Sequence, residues 1–160
     1  MSDSKAKPVE LQDFPVVIAL PVQWGDQDSF GHVNNTLPFR WFESARIAYL
    51  EQSDLGHLMN TSGIGPILAA IGCNYRRQLH YPDTVHVGAR VASIGRTSMV
   101  MAHAGFSEQL GMIAVDGTST VVMFDYSTNK PRRMPEELRS IFERIEGKSL
   151  AAPPKQAKGP

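Results

Sequence analysis

Between Asp26 and Asn35 the chain reads DQDSFGHVNN, which gathers two carboxylates, an imidazole and two carboxamides around one glycine. Three chemistries compete for such a set. The spacing D-x-D-x-x-G matches the start of a calcium loop, but that loop needs an oxygen ligand at its fifth position and a bidentate glutamate at its twelfth. Phe30 and Leu37 stand there instead. Asp and Asn also cap helix N-termini by accepting bonds from orphan amides, and a glycine can supply a turn with positive φ. The third reading is catalytic. First-turn amides of a helix carry partial positive charge and suit an oxygen that becomes negative in a transition state. A carboxylate just upstream could face the same point as nucleophile or general base, and the pair would hydrolyse an activated acyl group. The chain holds no G-x-S-x-G segment. Its one cysteine, Cys73, lies in the apolar run ILAAIGCNY, where a buried and inert thiol is expected. A carboxylate of the DQDSFGHVNN stretch is therefore the remaining candidate, beside the plainer reading of a helix cap.

Either role requires a helix directly after the motif and a strand before it. PVVIALPVQW, ending at Trp24, is rich in β-branched residues and is broken by Pro21, which predicts an edge strand or a bulge. From about Thr36 to Gln52, Leu37, Trp41, Ala45 and Ala48 recur at helical spacing, and Phe42, Tyr49 and Leu50 widen the stripe. So broad an apolar face predicts a helix enclosed by other elements. Pro38 fits within the first turn if Asn35 is the cap or first residue, which puts the Asn35 N–H at the helix mouth. After the glycine-rich turn NTSGIGP come four strand candidates: ILAAIGCNYRR, TVHVGARVASI, SMVMAHAGFSE and MIAVDGTSTVVMFDY. Short connections predict an antiparallel meander. MPEELRSIFERIEG closes the domain as an amphipathic helix. The expected fold is α+β, a five-stranded antiparallel sheet wrapped around one long central helix. Its exposed edge invites pairing with a second copy.

The motif D-x-D-x-x-G-H-V-N-N, followed by an aromatic-rich helix carrying Glu43, Ala45 and Arg46, resembles the hotdog-fold acyl-CoA thioesterases of the 4-hydroxybenzoyl-CoA thioesterase family. The segment NYRRQLHYPDTVHV, with Tyr75, Arg76 and Asp83, is also similar to a family stretch. The resemblance runs over about residues 15 to 146. It implies hydrolysis of an acyl-CoA, or of an acyl carrier protein thioester, to a free acid. Asp28 would be nucleophile or base, and the Asn35 N–H would polarise the carbonyl. His32 and Asn34 would orient the loop, a water or the acyl carbonyl, and Asp26 would support the loop. Arg76, Arg77, Lys130, Arg132 and Arg133 would meet the phosphates of coenzyme A. Coenzyme A enters as part of the substrate, with no separate cofactor and no metal. Homodimers or homotetramers built on a continuous sheet are implied. Relatives usually carry an aromatic residue where this chain has Pro38, close to the acyl pocket. A hotdog enoyl-CoA hydratase, with an aspartate followed five residues later by a histidine, and a non-catalytic acyl-CoA binding module are the competing readings.

Composition narrows the field further. In 160 residues, 16 Lys and Arg balance 16 Asp and Glu, and no basic stripe interrupts that balance, which argues against nucleic acid and anionic membrane surfaces. No run approaches the roughly 18 apolar residues of a membrane span, so a soluble, cytoplasmic protein is expected. Residues 1–13 and 148–160 read as flexible tails around a single domain, 14–147. His57, His80, His86 and His103 show no ligand spacing with a carboxylate partner, and surface or strand roles are expected for them.

Overall fold

The computed structural model describes residues 6–151, in the order β1 (Val16–Pro21), α1 (Leu37–Glu51), α2 (Leu55–Ser62), β2 (Ile64–Tyr75), β3 (Thr84–Ile94), β4 (Ser98–Ser107), β5 (Met112–Asp125), β6 (Lys130–Pro131) and α3 (Glu136–Glu146). The inward positions of β3, namely Val85, Val87, Ala89 and Val91, are all fully buried, as their period of two requires. They meet α1, which buries Pro38, Trp41, Phe42, Ala45 and Tyr49. Met99, Met101 and Met123 fill the remaining core. α3 lays Leu138 and Phe142 against this core, with the Phe142 ring 6.0 Å from that of Tyr49. A curled antiparallel sheet around a central helix is the hotdog arrangement.

The strand order corrects the expected meander. β3, β4 and β5 are sequential neighbours, but the sheet runs β1-β3-β4-β5-β2, so β2 lies at the edge beyond β5 instead of beside β3. Residues 76–83 between β2 and β3 are too many for a tight hairpin, and that length lets the chain cross the end of the curl. β1 forms the other edge, with Pro21 as its last residue, where a missing N–H costs no ladder bond. β6 adds a two-residue rung opposite Phe124 and Asp125.

Two segments differ from the sequence reading. α2 occupies residues expected as connection, and NTS of the supposed turn is its last turn, closed by Gly63 at φ +69°. The terminal residues are less free than tails. Val9–Leu11 form a 3-10 turn with Leu11 buried against Phe14 and Ala104, while the carbonyl of buried Leu150 accepts the Ile94 N–H at 2.8 Å. The parts of those expected tails at 1–5 and 152–160 lie outside the described residues.

Candidate active site

The loop after β1 is built by its own acids. The Asp26 carboxylate accepts the Gln23 N–H at 2.7 Å, and the Asp26 carbonyl accepts the Asn34 N–H at 2.8 Å. Asp28 closes the next turn: its N–H donates to the His32 carbonyl at 2.8 Å, and its carbonyl accepts the Gly31 N–H at 3.1 Å. Gly31 sits at φ +78°, a conformation that disfavours a side chain. The Asp28 Oδ1 accepts the Phe30 N–H at 2.8 Å and the His32 N–H at 3.4 Å, whereas Oδ2 makes no hydrogen bond among the described residues. One carboxylate oxygen is thus held and the other left available. The loop is pinned from outside by the Val33 N–H on the Leu79 carbonyl, 2.8 Å, and by His80 Nδ1 at 3.0 Å from the Gly31 carbonyl.

Asn34 builds the turn that leads into α1, whose cap is one residue later than the sequence predicts. The Asn34 Oδ1 accepts the Thr36 N–H at 2.9 Å and the Thr36 hydroxyl at 2.8 Å, and its carbonyl accepts the Leu37 N–H at 3.0 Å. Thr36 is the N-cap and Pro38 lies in the first turn, where its missing N–H leaves no gap. Among the described residues the amides of Asn34, Thr36 and Leu37 are bonded and that of Asn35 is not. The positive end of the α1 dipole backs this free amide. Across from it, the Tyr75 hydroxyl donates to the Asn35 carbonyl.

A cavity of about 290 Å³ lies among these groups. Asp28, His32 and Asn35 line it with buried Pro38, Leu79 and Val115 and with exposed Tyr75, Arg76, Arg77 and Gln78. The His32 ring meets the edge of the His80 ring at 5.1 Å. Arg76 is held by Asp116, Nε to Oδ2 2.7 Å and Nη2 to Oδ1 3.2 Å, and Asn74 adds a bond of 2.8 Å to the same carboxylate. The Arg76 bonds hold the Asp116 carboxyl below its usual range, against the effect of burial. Arg77 donates to the Arg76 carbonyl at 2.8 Å. Of the residues singled out in the sequence, Asp28, His32, Asn35, Arg76 and Arg77 come together around this cavity. Asn34 shapes the turn beneath it.

Lys130, Arg132 and Arg133 do not join them. They follow the far end of β5, about 30 Å along the strand from Val115. Arg132 binds Asp125 there, Nε to Oδ2 3.0 Å and Nη2 to Oδ2 2.9 Å, and Arg133 lies 3.9 Å from Glu136. Cys73 is half-buried on the edge strand and not fully enclosed, and burial pushes its thiol up to about 11, which leaves little thiolate near neutrality. His86 and His103 are strand residues, in β3 and β4 as expected, with partners that the sequence spacing did not reveal. His86 does have a carboxylate partner, Glu108, at 2.8 Å, and His103 is a core residue, stacked on Phe42 at 4.9 Å with Nε2 2.8 Å from the Ser119 hydroxyl. Burial brings His103 down to about 4. Tyr75 lines the cavity without having been assigned a role from the sequence. Among the described residues no group of three or more His, Cys, Asp or Glu is placed to hold a metal ion, and no helix is long and apolar enough to cross a membrane.

Residues 22–142 match the model of the thioesterase-like superfamily. Among solved structures, a thioesterase of Thermus thermophilus, determined with coenzyme A and zinc, is 29% identical, with a TM-score of 0.77 over 87% of this chain and 99% of that one. YbaW of Escherichia coli, named a probable thioesterase, is 26% identical, with a TM-score of 0.74 over 81% of this chain and 98% of that one. YsmA of Bacillus subtilis (strain 168) is 27% identical over 84 residues, 52% of this chain and 56% of that protein, so the match spans little more than half of YsmA. The chain belongs to the thioesterase-like superfamily, and thioester hydrolysis is the activity that its family and these solved neighbours carry by name.

Proposed function

We propose that the protein is an acyl-CoA thioesterase that hydrolyses a thioester to a free carboxylic acid and coenzyme A. One observation carries this reading: the unbonded Asp28 Oδ2 and the unbonded Asn35 N–H belong to residues that line the same cavity at the N-terminus of a buried helix. Asp28 attacks the thioester carbonyl to form an anhydride that water then hydrolyses to the free acid, or takes a proton from a water that attacks the carbonyl directly. The Asn35 N–H, backed by the helix dipole, holds the oxygen as it becomes negative. The C–S bond then breaks and the thiolate leaves to take up a proton. Arg76 and Arg77 line the same cavity and would meet a carrier phosphate, and the coenzyme A held by the Thermus neighbour favours that carrier over an acyl carrier protein. The motif around Asp28 favours a 4-hydroxybenzoyl-CoA thioesterase-like branch. A second copy docks along the β2 edge, whose Ile67 and Leu68 are exposed and whose sequence, IGPILAAIGCNY, holds no charge.

Release of free thiol from short, long and aromatic acyl-CoAs tests the proposal, with Asp28→Asn alongside the wild type. The variant is expected to lose on the order of a hundredfold or more in turnover, the scale of a lost general base. Equal rates would remove Asp28 from the mechanism. Tight binding without turnover would favour a binding module, and hydration of crotonyl-CoA a hydratase.

A further inference from the structure

We infer that Tyr75 is a positioning residue for the amide that stabilises the oxyanion, an inference that rests on the thioesterase reading above. Asn35 precedes the N-cap, so no helical hydrogen bond fixes its backbone. Two peptide units flank its Cα, and each is tied by hydrogen bonds of its own. The unit before it holds the free Asn35 N–H, and its oxygen, the Asn34 carbonyl, accepts the Leu37 N–H. The unit after it is clamped at both ends: the Thr36 N–H donates to Asn34 Oδ1, and the Asn35 carbonyl accepts the Tyr75 hydroxyl. The bonds from Leu37 and Thr36 are local to the turn. The bond from Tyr75 comes from the end of β2 and is the hydrogen bond that ties this peptide to the sheet.

Without it, the unit after Asn35 is anchored only by the Asn34 side chain, and rotation about the Asn35 backbone becomes available. An amide that must meet a developing charge loses its advantage when it has to reorganise during the reaction. The Tyr75 ring is half-exposed and lines the same cavity as Asp28, so its removal would also open a wall. Tyr75→Phe separates the two contributions, since it keeps the ring and deletes the hydroxyl.

The expected result is a fall in kcat of about 10- to 30-fold with KM unchanged, the signature of an interaction realised in the transition state. Affinity for a coenzyme A trifluoromethyl ketone, which hydrates to a tetrahedral adduct, should fall by the same factor. Affinity for an alkyl thioether of coenzyme A, which lacks the thioester carbonyl, should not change. A Tyr75→Phe protein whose kcat matches the wild type, or whose loss lies in KM and in thioether affinity, overturns the inference and leaves Tyr75 as pocket wall. Absence of turnover by the wild type itself overturns the thioesterase reading, and this inference with it.

Discussion

Glu146 offers a direct test of how the last helix is fastened to the core. At the end of α3, its Oε1 accepts the hydroxyl of Tyr49, a residue with no exposed surface, and the N–H of Val91, also fully buried, each at 2.7 Å. Val91 stands beside a register shift between β3 and β4, so its amide takes a side-chain acceptor from α3. In Glu146→Ala both donors stay buried without an acceptor. At about 1–3 kcal/mol for each such group, the loss is about 2–6 kcal/mol, and a central value near 4 kcal/mol lowers Tm by about 8–16 °C. Tyr49→Phe alone removes one donor together with its need for a partner and should cost about 1–2 kcal/mol. In the Glu146→Ala background the same change should cost nothing, because the hydroxyl it deletes is already orphaned. Urea melts of the four proteins close the cycle, with an expected coupling of at least about 1.5 kcal/mol. Costs that add to within about 0.3 kcal/mol would refute the reasoning, since they would mean that the hydroxyl and the carboxylate act independently.

His103 predicts a pH window. Its folded-state value of about 4 lies below the ordinary 6.5 of an unfolded chain. As pH falls, the unfolded state therefore binds the proton first, so stability is complete above 6.5 and is lost between 6.5 and about 4, by about 3 kcal/mol. Urea midpoints across that range should slope less in His103→Gln, and equal slopes would refute the assignment. Gly117→Ala is a packing test: an added Cβ would lie 2.1 Å from the Gly72 carbonyl oxygen and 2.9 Å from the Phe42 ring. Because backbone cannot yield as a side-chain tip does, the change should separate β2 from β5 and cost about 3 kcal/mol or more. A Tm within about 2 °C of the wild type would refute it.

Periodicity made some elements legible and pairing made others opaque. β3 was readable to its ends, Thr84 and Ile94, because Val85, Val87, Ala89 and Val91 alternate inward and turn residues bound the run. α1 announced itself by a broad stripe and Pro38. α2 carries no capping side chain, follows Asp54 in a left-handed conformation and spans eight residues, so nothing in LGHLMNTS separates it from connection. The place of β2 was hidden for another reason: alternation tells which face a residue takes but not which neighbour the strand pairs with. The same division runs through the site. Asp28, Asn34 and Asn35 share one turn, and sequence proximity exposes them together. The Tyr75 hydroxyl bond, the Arg76–Asp116 pair and the His103–Ser119 contact form between residues far apart along the chain. The arginines at 132 and 133 looked equivalent to those at 76 and 77 because composition carries no information about which end of β5 they occupy.

The strand order also governs how the protein can be made. Val16 of β1 lies opposite Ala89, and Ile64 of β2 lies opposite Asp125. When β1 and α1 leave the ribosome, neither has a sheet to join, and at about 5–20 residues per second roughly 4–15 s pass before Ala89 is synthesised. β2, uncharged and apolar, then waits for β5. During translation the chain therefore carries its stickiest strand unpaired until the last third of the protein has emerged. Slow stretches of message after residue 64, until β5 has cleared the ribosome, would lengthen that exposure and raise dependence on chaperones.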